Sequence, residues 1–220
     1  YKGTMPANTT FVVKDGTEVI ADNALQNQSN LVVIDIPDSV TSIGYQAFSG
    51  DGNLADITLP KNLTHLGYQA FSGCNSISEL TIPKSLKMLP RLSYNSTLPN
   101  LRLKFEEDSQ VEIIAEYALS CLESQTVYLP ASVRYVEPYG LSNTTVMLPV
   151  EFCNVDLTEE GLSTSGTFLY MGTEAQAGGL TGVIYYSESE PESENNAYSG
   201  DTNYLGQYWH YDENGNPVLW

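Results

Sequence analysis

The segment IGYQAFSG at residues 43–50 returns as LGYQAFSG at 66–73, with seven of eight letters kept after 23 residues. A period of that length confines a chain to repeat architectures, in which each unit is one supersecondary element stacked on the next. Extended outward, LVVIDIPDSVTSIGYQAFSGDGN (31–53) aligns with LADITLPKNLTHLGYQAFSGCNS (54–76). ISELTIPKSLKMLPRLSYNSTLPN (77–100) follows, one residue longer, then LRLKFEEDSQVEIIAEYALSCLE (101–123) and SQTVYLPASVRYVEPYGLSNT (124–144). Upstream, VIADNALQNQSN (19–30) matches 42–53 and marks a divergent first unit, while VMLP (146–149) repeats the opening strand alone. About six units therefore occupy residues 8–144.

Each unit opens on alternating apolar and polar residues, the pattern of a half-buried strand. Ile34 and Ile36, Ile57 and Leu59, Leu80 and Ile82, Leu103 and Phe105, and Val127 and Leu129 are expected to point inward. Proline at 37, 60, 83, 130 and 149 has no N–H for a ladder and ends the strand. Two more apolar positions follow in each unit, as at Val40 and Ile43 or Leu63 and Leu66. Gly44 and Gly67 are expected to permit a sharp bend, and Ala47-Phe48, Ala70-Phe71 and Ala118-Leu119 to sit on short helical turns that feed the core. One unit cannot bury this face alone, whereas six stacked strands about 4.8 Å apart form a continuous core roughly 30 Å long. Burial of each large apolar side chain contributes about 1.5–3 kcal/mol, so several per coil outweigh any local propensity.

The pattern L-x-x-I-x-I-P-x-S-V-x-x-I-G-x-x-A-F at this period resembles the BspA-type leucine-rich repeats of bacterial surface proteins. The resemblance covers about 8–149 and is strongest at 31–83; it weakens at 84–123, where Pro90 stands for the glycine and Glu106 for the strand-ending proline. It implies an α/β repeat solenoid, a right-handed leucine-rich-repeat superhelix rich in strands with short helical or 3-10 turns. VIYYSESEPESENNAY (183–198) and QYWHYDENGNPVLW (207–220) are similar to the module that closes such arrays. Taken by residue type, Asn214-Gly215 signals a tight hairpin, and Tyr208, Trp209, Tyr211 and Trp220 supply apolar area to seal the last coil. SESEPESE (187–194) reads as a surface loop and 172–182 as another. The division expected is a solenoid over 1–149 and a C-terminal cap over 150–220, packed together as one domain.

Charge narrows the function classes. The chain holds 27 acidic and 9 basic residues, a formal net charge of −18, which opposes binding of nucleic acid or anionic membrane through a basic surface. Solubility explains the acidity most simply; cation binding or a cationic partner are the alternatives. No run of eighteen apolar residues is present. The chain opens at Tyr1 without a signal peptide, so a processed or truncated form is expected.

Catalytic patterns are missing from the sequence. His65 falls in a variable polar slot shared with Ser42 and Met88, His210 lies in the cap, and no serine has a plausible histidine partner. Cys74 and Cys121 follow the A-F and A-L pairs and read as small buried fillers. Two coils apart, they are beyond disulfide reach. With Cys153 they are also too few and scattered for a zinc site. Asp212, Asn214 and Asn216 superficially resemble a calcium loop, but the glycine is misplaced and a hairpin turn explains them better. No catalytic residue, metal site or cofactor is expected.

In-register stacking would line up outward strand residues in two columns. One reads Val33, Asp56, Glu79, Arg102, Thr126; its neighbour reads Asp35, Thr58, Thr81, Lys104, Tyr128. Solenoids bind partners on such faces, and the candidate binding residues are Asp35, Asp56, Thr58, Glu79, Thr81, Arg102, Lys104 and Tyr128. Acidic residues toward the N-terminal end and basic ones at Arg102 and Lys104 would grade the potential and steer a charged partner. The family resemblance implies a non-enzymatic extracellular or cell-surface adhesin-like protein of a host-associated bacterium. Its partner would be a host matrix protein or another microbial surface protein, with no nucleic acid and no membrane span. The alternatives are a structural spacer in a larger surface protein, or a carbohydrate-binding module using the Tyr/Trp-rich end.

Overall fold

The computed structural model describes residues 4–94, 98–122, 125–142, 144–157, 166–172, 183–186 and 208–219. Expectations for SESEPESE, most of 172–182, and Trp220 fall outside them. Every coil contributes two strands, the first longer than the second except in the third coil, where both span two residues. The first two coils carry β1 (Thr9–Val12), β2 (Val19–Ile20), β3 (Leu31–Asp35) and β4 (Ser42–Ile43). The next two carry β5 (Asp56–Ile57), β6 (His65–Leu66), β7 (Glu79–Ile82) and β8 (Met88–Leu89). Then come β9 (Arg102–Phe105), β10 (Ile113–Ile114), β11 (Thr126–Tyr128), β12 (Tyr135–Val136), β13 (Thr145–Leu148) and β14 (Asp156–Leu157). The chain continues with β15 (Thr167–Tyr170), β16 (Ile184–Tyr186), β17 (Tyr208–Tyr211) and β18 (Pro217–Leu219).

The first strand of a coil pairs in parallel with first strands and the second with second strands, as the 23-residue period requires. Thr10, Val33 and Asp56 are register partners in one sheet, as are Val19, Ser42 and His65 in the other. The apolar positions read from the sequence meet in one core: Ile34, Val40, Ile43, Phe48, Ile57, Leu63, Leu66, Phe71, Leu80, Leu89, Leu103, Ile114, Val127 and Val136 are all buried. Ile36 and Phe105, also expected inside, are half-buried against that core.

Proline does more than end each strand. The carbonyls of Pro37, Pro60, Pro83 and Pro130 accept the N–H of Val40, Leu63, Leu86 and Val133, opening a turn in each of those four coils. Glu106 keeps the N–H that proline lacks and donates it to Ile82 O at 3.0 Å.

Two local expectations need correction. The A-F segments are successive turns, not helical ones, because Gln46, Gln69, Tyr117 and Tyr139 hold φ of 51°, 60°, 55° and 58°. A left-handed residue in each segment stops a right-handed helix from propagating. Among the described residues the helical element is a 3-10 turn at Val150–Asn154. Gly67, for its part, is a packing residue and not a bend. A Cβ there would overlap Gly44 C and O and Tyr45 N of the coil below, so its absence lets two backbones touch.

Many of the acids act as staples between coils. Asp22 accepts from Tyr45 N at 2.7 Å, Asp38 from Lys61 N at 2.9 Å and Asp51 from Gln28 N at 2.6 Å. Glu106 accepts from Lys84 N and Glu137 from Glu116 N in the same way. Each carboxylate satisfies a turn N–H that the ladder leaves over. Part of the acidity is thus structural and not only solubilising.

The C-terminal strands extend the first sheet in the order β11-β13-β15-β16-β17-β18. The hairpin expected at Asn214-Gly215 joins β17 to β18, with His210 opposite Val218. Asp212 Oδ1 accepts from the N–H groups of Asn214 and Asn216 at 2.8 Å each, and Gly215 takes φ of +79°. Those bonds hold the Asp212 carboxyl below its ordinary range. Trp209 is buried, and its Nε1 donates to Tyr170 O at 2.8 Å. It forms a second apolar cluster with Met147, Leu169 and Ile184. Strand alternation places Met147 and Leu169 on the side of the sheet opposite Val146, Leu148 and Phe168, which belong to the main core.

Candidate binding face

All eight residues proposed for the binding face are exposed. They alternate with core positions: Glu79, Thr81, Arg102 and Lys104 point out, while Leu80, Ile82 and Leu103 point in. Asp56 is the register partner of Val33, Arg102 of Glu79, and Lys104 of Thr81. Asp35 stands opposite Val12 and Tyr128 opposite Met147. The face therefore ends at Tyr128, because the next two positions of its column, Met147 and Leu169, are covered in the second apolar cluster.

Its columns are not continuous. The first sheet breaks between β5 and β7 and again between β9 and β11, giving three separate runs of strands. A cleft marks each break. The first, of about 300 Å³, is lined by Asp56, Thr58, Leu59, Ser78, Glu79 and Thr81. The second, of about 500 Å³, holds Lys104, Phe105, Glu106, Tyr128, Pro130 and Ser132. Gln125 spans this second break: its Oε1 accepts from Leu103 N at 3.0 Å and its Nε2 donates to Leu101 O.

Charge on the face is paired across strands. Lys104 Nζ lies 2.7 Å from Glu79 Oε2, with both side chains about half exposed. The bridge to Lys104, assisted by Arg102, holds the Glu79 carboxyl below its ordinary value. The basic end of the expected gradient is thereby partly neutralised from within, and Asp35 and Asp56 lie on the acidic side of the first break.

A second surface escaped the sequence reading. On the edge formed by the turns, Tyr45, Tyr68 and Tyr94 are 42%, 37% and 48% exposed. The Arg91 guanidinium lies 4.5 Å from the Tyr94 ring centre and 4.8 Å from that of Tyr117, which stacks on Tyr139 at 4.9 Å. The repeated G-Y-Q of the turn carried part of this signal, since Tyr45 and Tyr68 hold one place in successive coils; Arg91 takes that place in the fourth coil, with Tyr94 three residues further on.

His65 is in β6 of the second sheet and His210 in β17 of the first. Among the described residues, no group of three or more His, Cys, Asp or Glu side chains is arranged to hold a metal ion. Cys74 and Cys121 are buried free thiols, pushed up to about 12 and about 11 by burial. Cys74 Sγ donates to Phe48 O at 3.0 Å. The Cys153 side chain lies outside the described residues. Among those residues no helix is long and apolar enough to cross a membrane.

The repeats match the family described as BspA type leucine rich repeat region, in six copies over residues 18–148. Among solved structures, a leucine-rich repeat protein of T. pallidum is 24% identical, with 67% of each chain covered and a TM-score of 0.41. A leucine-rich repeat protein from Bacteroides ovatus is 21% identical over 80% of this chain and 55% of that one, with a TM-score of 0.39. A leucine rich cell surface protein from Faecalibacterium prausnitzii is 16% identical over 76% of this chain and 61% of that one, at 0.31. None of the curated proteins compared matches this chain.

Proposed function

Because this chain belongs to the BspA-type leucine-rich repeat family, we propose that it is a non-enzymatic protein-interaction module, an adhesin-like part of a bacterial surface protein. Its partner is a protein, either of the host extracellular matrix or of another microbe's surface. Residues 1–149 and 150–220 act as one domain, the second part closing the array. Recognition falls to the outer face of the first sheet, through Asp35, Asp56, Thr58, Glu79, Thr81, Arg102, Lys104 and Tyr128.

One observation carries this reading: the eight side chains stand exposed, seven on strands whose alternate residues form the core and Thr58 just past the end of β5. Residue identity on such a face varies without disturbing the stack, which is how solenoids diversify their partners. The test immobilises the full chain and measures binding to purified host matrix proteins and to surface proteins of co-resident bacteria. The triple variant Asp56→Ala, Glu79→Ala, Arg102→Ala is expected to bind the partner at least about tenfold more weakly while keeping its thermal midpoint. Unchanged affinity discards the face, and failure to bind any of these proteins favours the structural-spacer alternative.

A glycan-binding role is favoured by the exposed Tyr45, Tyr68 and Tyr94 rings on the turn edge, since such rings stack on apolar sugar faces. Trp209 at the C-terminal end is buried and offers no ring. A glycan array probed with the wild type and a Tyr45→Ala, Tyr68→Ala variant separates this reading from the first.

A further inference from the structure

Neighbouring coils are held by the same set of bonds at nearly every junction. Gly44 N donates to Ile20 O at 2.8 Å, Gly67 N to Ile43 O at 2.7 Å, Ala115 N to Leu89 O at 3.0 Å and Glu137 N to Ile114 O at 2.9 Å. The residue in this column of the fourth coil is Pro90, which has no N–H to give. Its ring also occupies a place where Gly67 and Gly44 are in backbone contact, so the fourth coil cannot settle on the third in the same way.

The consequences spread beyond one bond. Thr64 donates to Thr41 O at 2.9 Å and Glu112 to Lys87 O at 2.8 Å, but among the described residues no such bond joins Lys87 or Met88 to the third coil. The second sheet accordingly stops at β6 and restarts at β8. The first sheet stops at β5 and restarts at β7, with the cleft of about 300 Å³ at the break. At the other break, between β9 and β11, the second sheet runs on from β8 through β10 to β12. Only at the third junction do both sheets part.

The turn edge stays closed there. Gln69 N donates to Arg91 O at 2.7 Å, Phe71 N to Leu92 O at 3.1 Å, and Ser72 Oγ to Tyr94 O at 3.1 Å. At another corner Ser85 Oγ lies 2.8 Å from Lys61 O and 2.7 Å from Leu63 O. With neither sheet ladder crossing this junction, only the Ser85 bonds remain on the sheet side, and the stack bends most readily about the more heavily bonded turn edge.

We propose that the junction between the third and fourth coils is a hinge. Residues 8–76 and 77–148 form two stacks, joined along Gln69–Ser72 and Arg91–Tyr94, that swing apart on the sheet side. The hinge runs between Asp56 and Glu79, so it changes the spacing of the two halves of the outer face; it stands whether or not that face binds a partner. Hydrogen exchange on the full chain at single-amide resolution tests it. In the wild type, Lys87 and Met88 are expected to exchange at least roughly tenfold faster than Thr64, His65, Glu112 and Ile113, while Gln69 and Phe71 stay as protected as Gln46 and Phe48. Pro90→Gly, which restores the N–H and the small column residue, is expected to slow exchange at Lys87 and Met88 toward that of the other coils. Equal protection of these amides in the wild type overturns the proposal. So does early exchange of Gln69 and Phe71, which would mean that the coils separate altogether, or a folded Pro90→Gly variant with an unchanged pattern.

Discussion

The rings of Phe48 and Phe71 stack across consecutive coils, their centres 5.6 Å apart and their planes 11° from parallel. Both are fully buried and occupy the same place in units 23 residues apart. Each ring is the floor of the next coil's pocket and the roof of the previous one's. Removing one exposes the faces of two coils, so Phe71→Ala is expected to cost about 3–5 kcal/mol in equilibrium urea unfolding. Phe71→Leu should cost clearly less, since Leu119 fills the corresponding slot of the fifth coil.

Glycines separate into two kinds by what surrounds them. A Cβ at Gly67 overlaps the Gly44 backbone, whereas at Gly52 it meets only Gly73 O, at 3.7 Å. Gly67→Ala is therefore expected to lower the thermal midpoint by several degrees or more, as overpacking against backbone costs about 1–3 kcal/mol. Gly52→Ala should leave the midpoint nearly unchanged. Equal effects would mean that the third coil does not sit on the second as closely as described.

Asp51 is buried, with one carboxylate oxygen on Gln28 N and the other without a side-chain or backbone partner. Burial raises its pKa from 3.8 to about 7, against the opposing pull of the Gln28 N–H. The folded chain thus keeps a proton that the unfolded chain releases. The stabilising effect is complete below about pH 4 and disappears as pH climbs through about 7. Thermal midpoints measured between pH 4 and 8 should fall with rising pH, and Asp51→Asn should flatten much of that decline. A parallel decline in both proteins would assign it to general repulsion among the acids.

Burial also decides thiol chemistry. Only the thiolate reacts readily, and the Cys74 and Cys121 thiols are held up to about 12 and about 11. Alkylation at pH 8 followed by peptide mapping should leave both unmodified in the folded protein and label both in denaturant. Labelling of Cys74 under native conditions would place it nearer solvent than the second and third turns allow.

The sequence spelled out whatever repeats. The strand columns follow from Ile34 and Ile57 recurring at one place, and the hairpin from Asn214-Gly215, because periodicity and turn chemistry are local properties. What lay hidden involves contact between units. Gly67 reads as a bend until its neighbour Gly44 is seen beneath it. Pro90 is visible as a departure, but the parting of both sheets depends on the third coil it fails to bond. Met147 and Leu169 look like ordinary strand residues, and their burial with Trp209 depends on strands far along the chain. The exposed tyrosines of the turn edge also needed three dimensions, since Tyr94 stands outside the column that Tyr45 and Tyr68 share.

The central claim is that successive units stack in parallel register, and cross-linking of paired cysteines tests it most directly. Val33 is the register partner of both Thr10 and Asp56, so β3 separates the strands that carry those two residues. Adjacent strands about 4.8 Å apart fall within disulfide reach, and strands two steps apart do not. Under mild oxidation the Val33→Cys, Asp56→Cys variant is predicted to form an internal bridge and the Thr10→Cys, Asp56→Cys variant to stay open. Bridging of the Thr10 pair under conditions that leave the Val33 pair open would contradict the stack and everything built on it.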